Sequence, residues 1–125
     1  MQFLNFKNLF KFAFFTALIC VEILSLLPKS PEIILKFWDK FNHFLAFSTL
    51  FVLFNLAFKS VKFRVSFALL LLFGIQIEIA QSFTPNREFS FFDILADVVG
   101  LIFGILVLKF RGKNPLNLIF AFWKD

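Results

Sequence analysis

Four apolar runs, each separated from the next by charge or proline, organise the chain: residues 9–27, 41–58, 65–83 and 91–108. Each approaches the roughly 20 residues that a hydrocarbon core about 30 Å thick demands of a helix. Over that length in lipid, only a helix satisfies its own backbone. The pattern therefore predicts an all-α, polytopic membrane protein: one domain over residues 1–125, built as a bundle of four transmembrane helices. The breaks carry turn and interface chemistry, "PKSP" at 28–31, "KSVKFR" at 59–64 and "TPNRE" at 84–88. The first run follows Lys7 and Lys11 as a signal sequence would, but Glu22 interrupts it and no small-residue cleavage pattern follows, so it reads as a retained helix. In the tail, 109–125, the apolar patch is too short to cross, and Trp123 beside Lys124 suits a segment at the interface.

Composition strengthens the membrane reading. With 60% hydrophobic residues, 24 Phe and a mean hydropathy of +0.87, the chain has more apolar surface than a soluble globule of 125 residues can hide. The single Cys20 has no partner and reads as a small apolar packing residue. Charge sets the expected orientation. With an even number of spans, one side holds Lys7, Lys11, Lys59, Lys62, Arg64, Lys109, Arg111, Lys113 and Lys124, nine of the 13 basic residues. By the positive-inside rule both termini and the middle loop are cytoplasmic, as in a multi-pass protein of the cell's inner membrane. The net charge of +5 then fits a fringe facing anionic lipid headgroups, and no nucleic-acid partner is needed.

The remaining polar residues converge on the opposite, outward face. Asp39, Lys40 and His43 open the second run, Glu78 and Gln81 close the third, Arg87 lies in the loop, and Ser90, Asp93 and Asp97 open the fourth. At 100° per residue Asp93, Asp97, Gly100 and Gly104 fall within an arc of about 60°, a stripe acidic at one end and smooth below. Gly74, Glu78 and Gln81 form a matching stripe, and Asp39 and His43 another. The glycines read as a seam for close helix packing. Carboxylates inside apolar runs are costly unless paired, so Glu78 and Asp97 are functional candidates by default.

"DKFNHFLAF" (39–47) followed by "GIQIEIAQSFTPNREFSFFDILADVVGLIFG" (74–104) resembles the VanZ-like family of small bacterial membrane proteins. That family's pattern is an Asp-Lys pair with a following His-Phe, then Glu and Gln, an Arg-containing loop, and an Asp followed by two glycines. The resemblance covers the central half of the chain and carries over Asp39, Lys40, His43, Glu78, Gln81, Arg87, Ser90, Asp93, Gly100 and Gly104. Asp97 departs from it, standing where the family usually has Asn. A carboxylate only accepts unless protonated, so Asp97 is expected to hold a proton or to pair with Arg87 or Lys40. The resemblance implies a link to resistance against the glycopeptide teicoplanin and names no reaction.

The leading expectation is a site for a lipid-linked or lipid-tailed envelope molecule, a lipid-tailed glycopeptide among them. His43, Glu78 and Asp93 are the catalytic candidates. Asp39, Lys40, Gln81, Arg87, Ser90 and Asp97 are the binding candidates, with the cations suited to an anionic headgroup. Catalysis itself stays open, since no known catalytic signature is present. A non-catalytic binding module and a purely structural ion-pair network remain alternatives. A proton or ion pathway fits less well, because the inner halves of the helices read as almost purely apolar. A carboxylate-rich metal site from His43, Glu78 and Asp93 is chemically feasible, but with one His and no usable Cys neither a metal nor another cofactor is expected.

Overall fold

The computed structural model describes residues 6–27, 33–84 and 89–110, and among these the chain is all-helical. The helices are α1 (Phe6–Ser25), α2 (Ile33–Ala57), α3 (Phe63–Gln81) and α4 (Phe91–Phe110). Arg87 and the tail beyond Phe110 lie outside the described residues.

Three of the four helices are long and apolar enough to cross a membrane: α1 over Asn8–Ser25, α3 over Phe63–Gln81 and α4 over Phe91–Phe110. The fourth expected span, α2, is the longest at 25 residues yet falls short of that measure, because Lys36, Asp39, Lys40, Asn42 and His43 crowd its first half. It begins at Ile33, well before the apolar run at 41. Charge interrupts hydropathy there without interrupting helix formation, since the stretch contains neither Gly nor Pro.

Helix ends follow local chemistry. Ser90 caps α4, its Oγ accepting the Asp93 N–H at 3.3 Å, while Asp93 in the first turn and Lys109 in the last suit the helix dipole. At the end of α3 the Thr84 N–H and Oγ1 both donate to the Gln81 carbonyl, at 2.9 and 2.8 Å, closing off an otherwise unpaired acceptor. The α2–α3 turn is tied by Val61 N–H to the Phe58 carbonyl at 3.1 Å.

Packing is inverted relative to a soluble protein. Phe12, Leu24, Leu72 and Phe91 are exposed, whereas Glu78 and Asp97 are fully buried. That is the arrangement expected where apolar side chains face lipid and polar ones face the bundle interior. The core runs through Phe47, Leu50, Phe51, Leu70, Ile77 and Leu101. The most extensive contact joins α4 to α2. A Cβ at Gly100 would lie 2.5 Å from the Phe44 carbonyl oxygen, and one at Gly104 2.9 Å from Phe51 Cβ, so both positions need a missing side chain. α1 is peripheral, with only 6% of its span buried; Phe14 anchors it edge-on against Phe54 at 5.2 Å.

Candidate functional site

One end of the bundle assembles the charged residues around His43. The imidazole is buried on α2, its ring parallel to Phe47 one turn along. Its Nδ1 lies 2.7 Å from Asp97 Oδ1 on α4, a full hydrogen bond. An ionised carboxylate only accepts, so with Asp97 charged it is Nδ1 that carries the proton and donates. The other ring nitrogen, Nε2, faces three carboxylate oxygens at 3.7 Å (Asp93 Oδ2), 3.9 Å (Glu78 Oε1) and 4.0 Å (Asp39 Oδ1).

The outer atoms of these carboxylates are held in place. Lys40 Nζ donates to Asp93 Oδ1 at 3.2 Å, and the Ser90 backbone N–H donates to Glu78 Oε2 at 3.1 Å. Lys40 is 40% exposed, so its ion pair is open to solvent on one side, while Glu78 and Asp97 have no exposed side-chain surface. Two oxygens in the cluster are buried without a hydrogen-bond partner among the described residues, Glu78 Oε1 and Asp97 Oδ2. Asp97 Oδ2 occupies the notch left by Gly74, 2.6 Å from where a Cβ would stand.

Beside the cluster lies a cavity of about 470 Å³ between α1, α2 and α3. Val21 and Leu24 of α1 with Ala46 and Phe47 of α2 form its apolar wall; Asp39, Asn42, His43 and Gln81 form its polar end. Gln81 Nε2 also donates to the Ser25 carbonyl at 2.7 Å, so the residue that lines the cavity fastens α1 to α3. Gln76 Nε2 adds a second tie, donating to Glu22 Oε1 at 2.8 Å.

The structure thus brings together Asp39, Lys40, His43, Glu78, Asp93 and Asp97, with Gln81 at the cavity and Ser90 acting through its backbone and as a cap. Of the expected partners of Asp97, Lys40 reaches Asp93 instead and His43 takes its place, while Arg87 lies outside the described residues. The reason is rotational. Spacing along α4 places Asp93 and Asp97 on one stripe, but only the close α2–α4 approach at Gly100 decides which α2 residue meets each of them. The half of the bundle away from the cluster is also less purely apolar than expected. Ser48 Oγ donates to the Phe44 and Gly100 carbonyls at 2.8 and 3.0 Å, and Ser66 Oγ donates to Asn55 Oδ1 at 2.8 Å. Ser48 and Asn55, seven apart and therefore on one face of α2, were the available signal.

A helical bundle with apolar residues outside and a carboxylate–imidazole cluster inside, three of its helices suited to crossing a bilayer, defines a helical membrane protein. More narrowly, the chain belongs to the VanZ/LLP1 family, whose model matches residues 1–112, helix α1 included. No curated protein and no solved structure matches it.

Proposed function

We propose that the chain spans the inner membrane four times with both termini cytoplasmic, and that the His43 cluster with its cavity receives a lipid-linked or lipid-tailed cell-envelope molecule at the outer leaflet. The observation that carries this reading is the cavity. Its volume falls within the roughly 300–1,000 Å³ of small-molecule sites, and it joins an apolar wall to a polar end within one space. An acyl or polyprenyl tail suits Val21, Leu24, Ala46 and Phe47. An anionic headgroup suits Lys40, a part-exposed cation paired with Asp93 and next in the chain to Asp39 at the cavity's polar end. Arg87 belongs to the same reading as a second headgroup cation. His43, Glu78 and Asp93 supply acid and base groups should the bound molecule be turned over. Resistance to a lipid-tailed glycopeptide such as teicoplanin follows if the protein withholds or alters the drug or its target at that leaflet.

The test is the lipid retained by the full chain purified in nanodiscs, identified by mass spectrometry, for the wild type and for Ala46→Trp, which fills the cavity. Enrichment of one envelope lipid that Ala46→Trp abolishes supports the reading. Bulk phospholipid in membrane proportions, unchanged by the substitution, sinks it and leaves the internally paired cluster as a structural network. Reporter fusions at residues 84–88 must fall outside the cytoplasm. Loss of an envelope phenotype in His43→Gln and Glu78→Gln with normal insertion favours catalysis; loss in Arg87→Ala alone favours anion binding without turnover.

A further inference from the structure

The unexplained feature of the cluster is what lies between His43 Nε2 and the three carboxylate oxygens that face it. With Nδ1–H donated to Asp97, Nε2 presents a lone pair, and a lone pair opposite three carboxylates is repulsive unless a cation sits between them. A proton on Nε2 is one such cation, but the distances are wrong for it. Hydrogen bonds from a ring N–H run to about 3.2 Å at most, whereas the oxygens stand at 3.7, 3.9 and 4.0 Å. A metal ion fits the gap better. With metal–ligand bonds of about 2.0–2.2 Å, donors around one ion are separated by roughly 3.4 Å in a tetrahedron and about 4.2 Å when opposed. Toward Nε2 each oxygen is roughly 0.3–0.6 Å beyond the tetrahedral spacing, and the oxygens must also draw in on one another to close the cage.

We propose that Asp39, His43, Glu78 and Asp93 form a binding site for one divalent first-row transition ion, Zn²⁺ being the best match to four donors of this kind. The carboxylate and imidazole atoms offered by Asp39, His43 and Asp93 lie within 4.8 Å of one another. The independent sign of a missing ligand is Glu78 Oε1, an oxygen of a fully buried carboxylate that has no hydrogen-bond partner among the described residues and stands 3.9 Å from Nε2. The donors are also oriented from behind, as metal ligands are. Asp97 holds His43 Nδ1, Lys40 holds Asp93 Oδ1 and the Ser90 N–H holds Glu78 Oε2, leaving the opposite atom of each side chain turned inward. Charge points the same way. Among the described residues, with Asp39, Glu78, Asp93 and Asp97 ionised, an imidazolium and Lys40 leave two negative charges over, while a divalent ion and Lys40 leave one. The imidazole donor favours a transition ion over Mg²⁺ or Ca²⁺, which prefer oxygen alone. The sequence argued against a metal because it offers one His and no usable Cys; the fold supplies carboxylates from three helices instead.

Donor geometry alone carries this site, whatever fills the cavity. Its test uses the full chain in nanodiscs, carrying a purification tag without histidine, stripped with EDTA and titrated with Zn²⁺, with Co²⁺ as a spectroscopic probe. Expected are close to one equivalent of Zn²⁺ per chain, visible absorption from four-coordinate Co²⁺, and a melting temperature that rises with free Zn²⁺. His43→Gln and Glu78→Gln should abolish the stoichiometric site, whereas Ser66→Ala at the far end should keep it. Asp97→Asn, whose amide oxygen still accepts from Nδ1–H, should keep the stoichiometry and weaken affinity about 10–100-fold. That variant decides the matter should His43→Gln fail to fold. Folded wild-type protein that takes up no stoichiometric Zn²⁺ or Co²⁺ overturns the proposal, as does uptake unchanged in all three site variants. Lipid retention measured on the same samples separates this failure from a failure of the lipid-binding reading.

Discussion

The two ends of the bundle handle buried polarity in opposite ways. At the end formed by the start of α1 and the α2–α3 turn, the buried polar side chains are the neutral, mutually satisfied Asn55 and Ser66 and one buried cation, Lys109. Asn55 Nδ2 donates to the Phe51 carbonyl at 2.8 Å while its Oδ1 accepts from Ser66. The cations there rest over rings, Lys11 above Phe58 at 5.3 Å and Lys109 above Phe63 at 5.1 Å. At the His43 end the groups are ionisable, and among the described residues carboxylates outnumber cations. The buried side-chain atoms without partners among the described residues, Glu22 Oε2, Glu78 Oε1 and Asp97 Oδ2, all lie on that side. A polar group kept only for packing is satisfied within the fold, as at the Asn55 end. Surplus acceptors concentrated at one place mark where something beyond the described residues is needed to satisfy them.

Substitutions that remove one partner at each end test this contrast directly. The largest effect is expected from His43→Leu, which strands the fully buried Asp97 carboxylate by removing its Nδ1–H donor: a loss of about 3 kcal/mol, the upper end for a hydrogen bond to a charged group, read by reversible unfolding in bicelles. A loss near that of a neutral hydrogen bond would show that the carboxylates do not depend on the imidazole. Midway between the ends, Gly100→Ala drives a methyl into the Phe44 carbonyl oxygen. Because backbone must move to admit it, a destabilisation of about 1–3 kcal/mol is expected, with Gly104→Ala milder since its neighbour is the Phe51 side chain. The smallest effect belongs to Ser66→Ala. The interhelical bond to Asn55 is worth about 0.6 kcal/mol by the average for membrane helices, and unfolding should shift by no more than about 1 kcal/mol. Should Ser66→Ala rival His43→Leu, the contrast between the ends is lost.

Much of the fold is legible in the order of residues alone. Apolar runs locate α1, α3 and α4 because lipid selects for hydropathy and helix together, and they shorten α2 because hydropathy alone cannot see a helix that continues through "LKFWDK". The stripes of Asp93 with Asp97 and of Gly74 with Glu78 are readable because periodicity within one helix is fixed. The pairing of His43 with Asp97, the Ser90 N–H on Glu78 and the tie from Gln81 to the Ser25 carbonyl are not. Each depends on how one helix is rotated against another, which no single helix encodes.

Gly100 gives the site its tolerance. A close backbone approach between α2 and α4 joins Phe44, the residue after His43, to Gly100, three positions beyond Asp97. Helices are stiff over one turn, so this contact acts as a gauge block: main chain against main chain fixes the separation at which the imidazole and the Asp97 carboxylate meet. Side-chain rearrangement cannot add slack there. Any molecule that enters must be fitted by the parts that do yield, the solvent-facing Lys40 and the lightly held α1 wall, while the His43–Asp97 distance stays at its machined value.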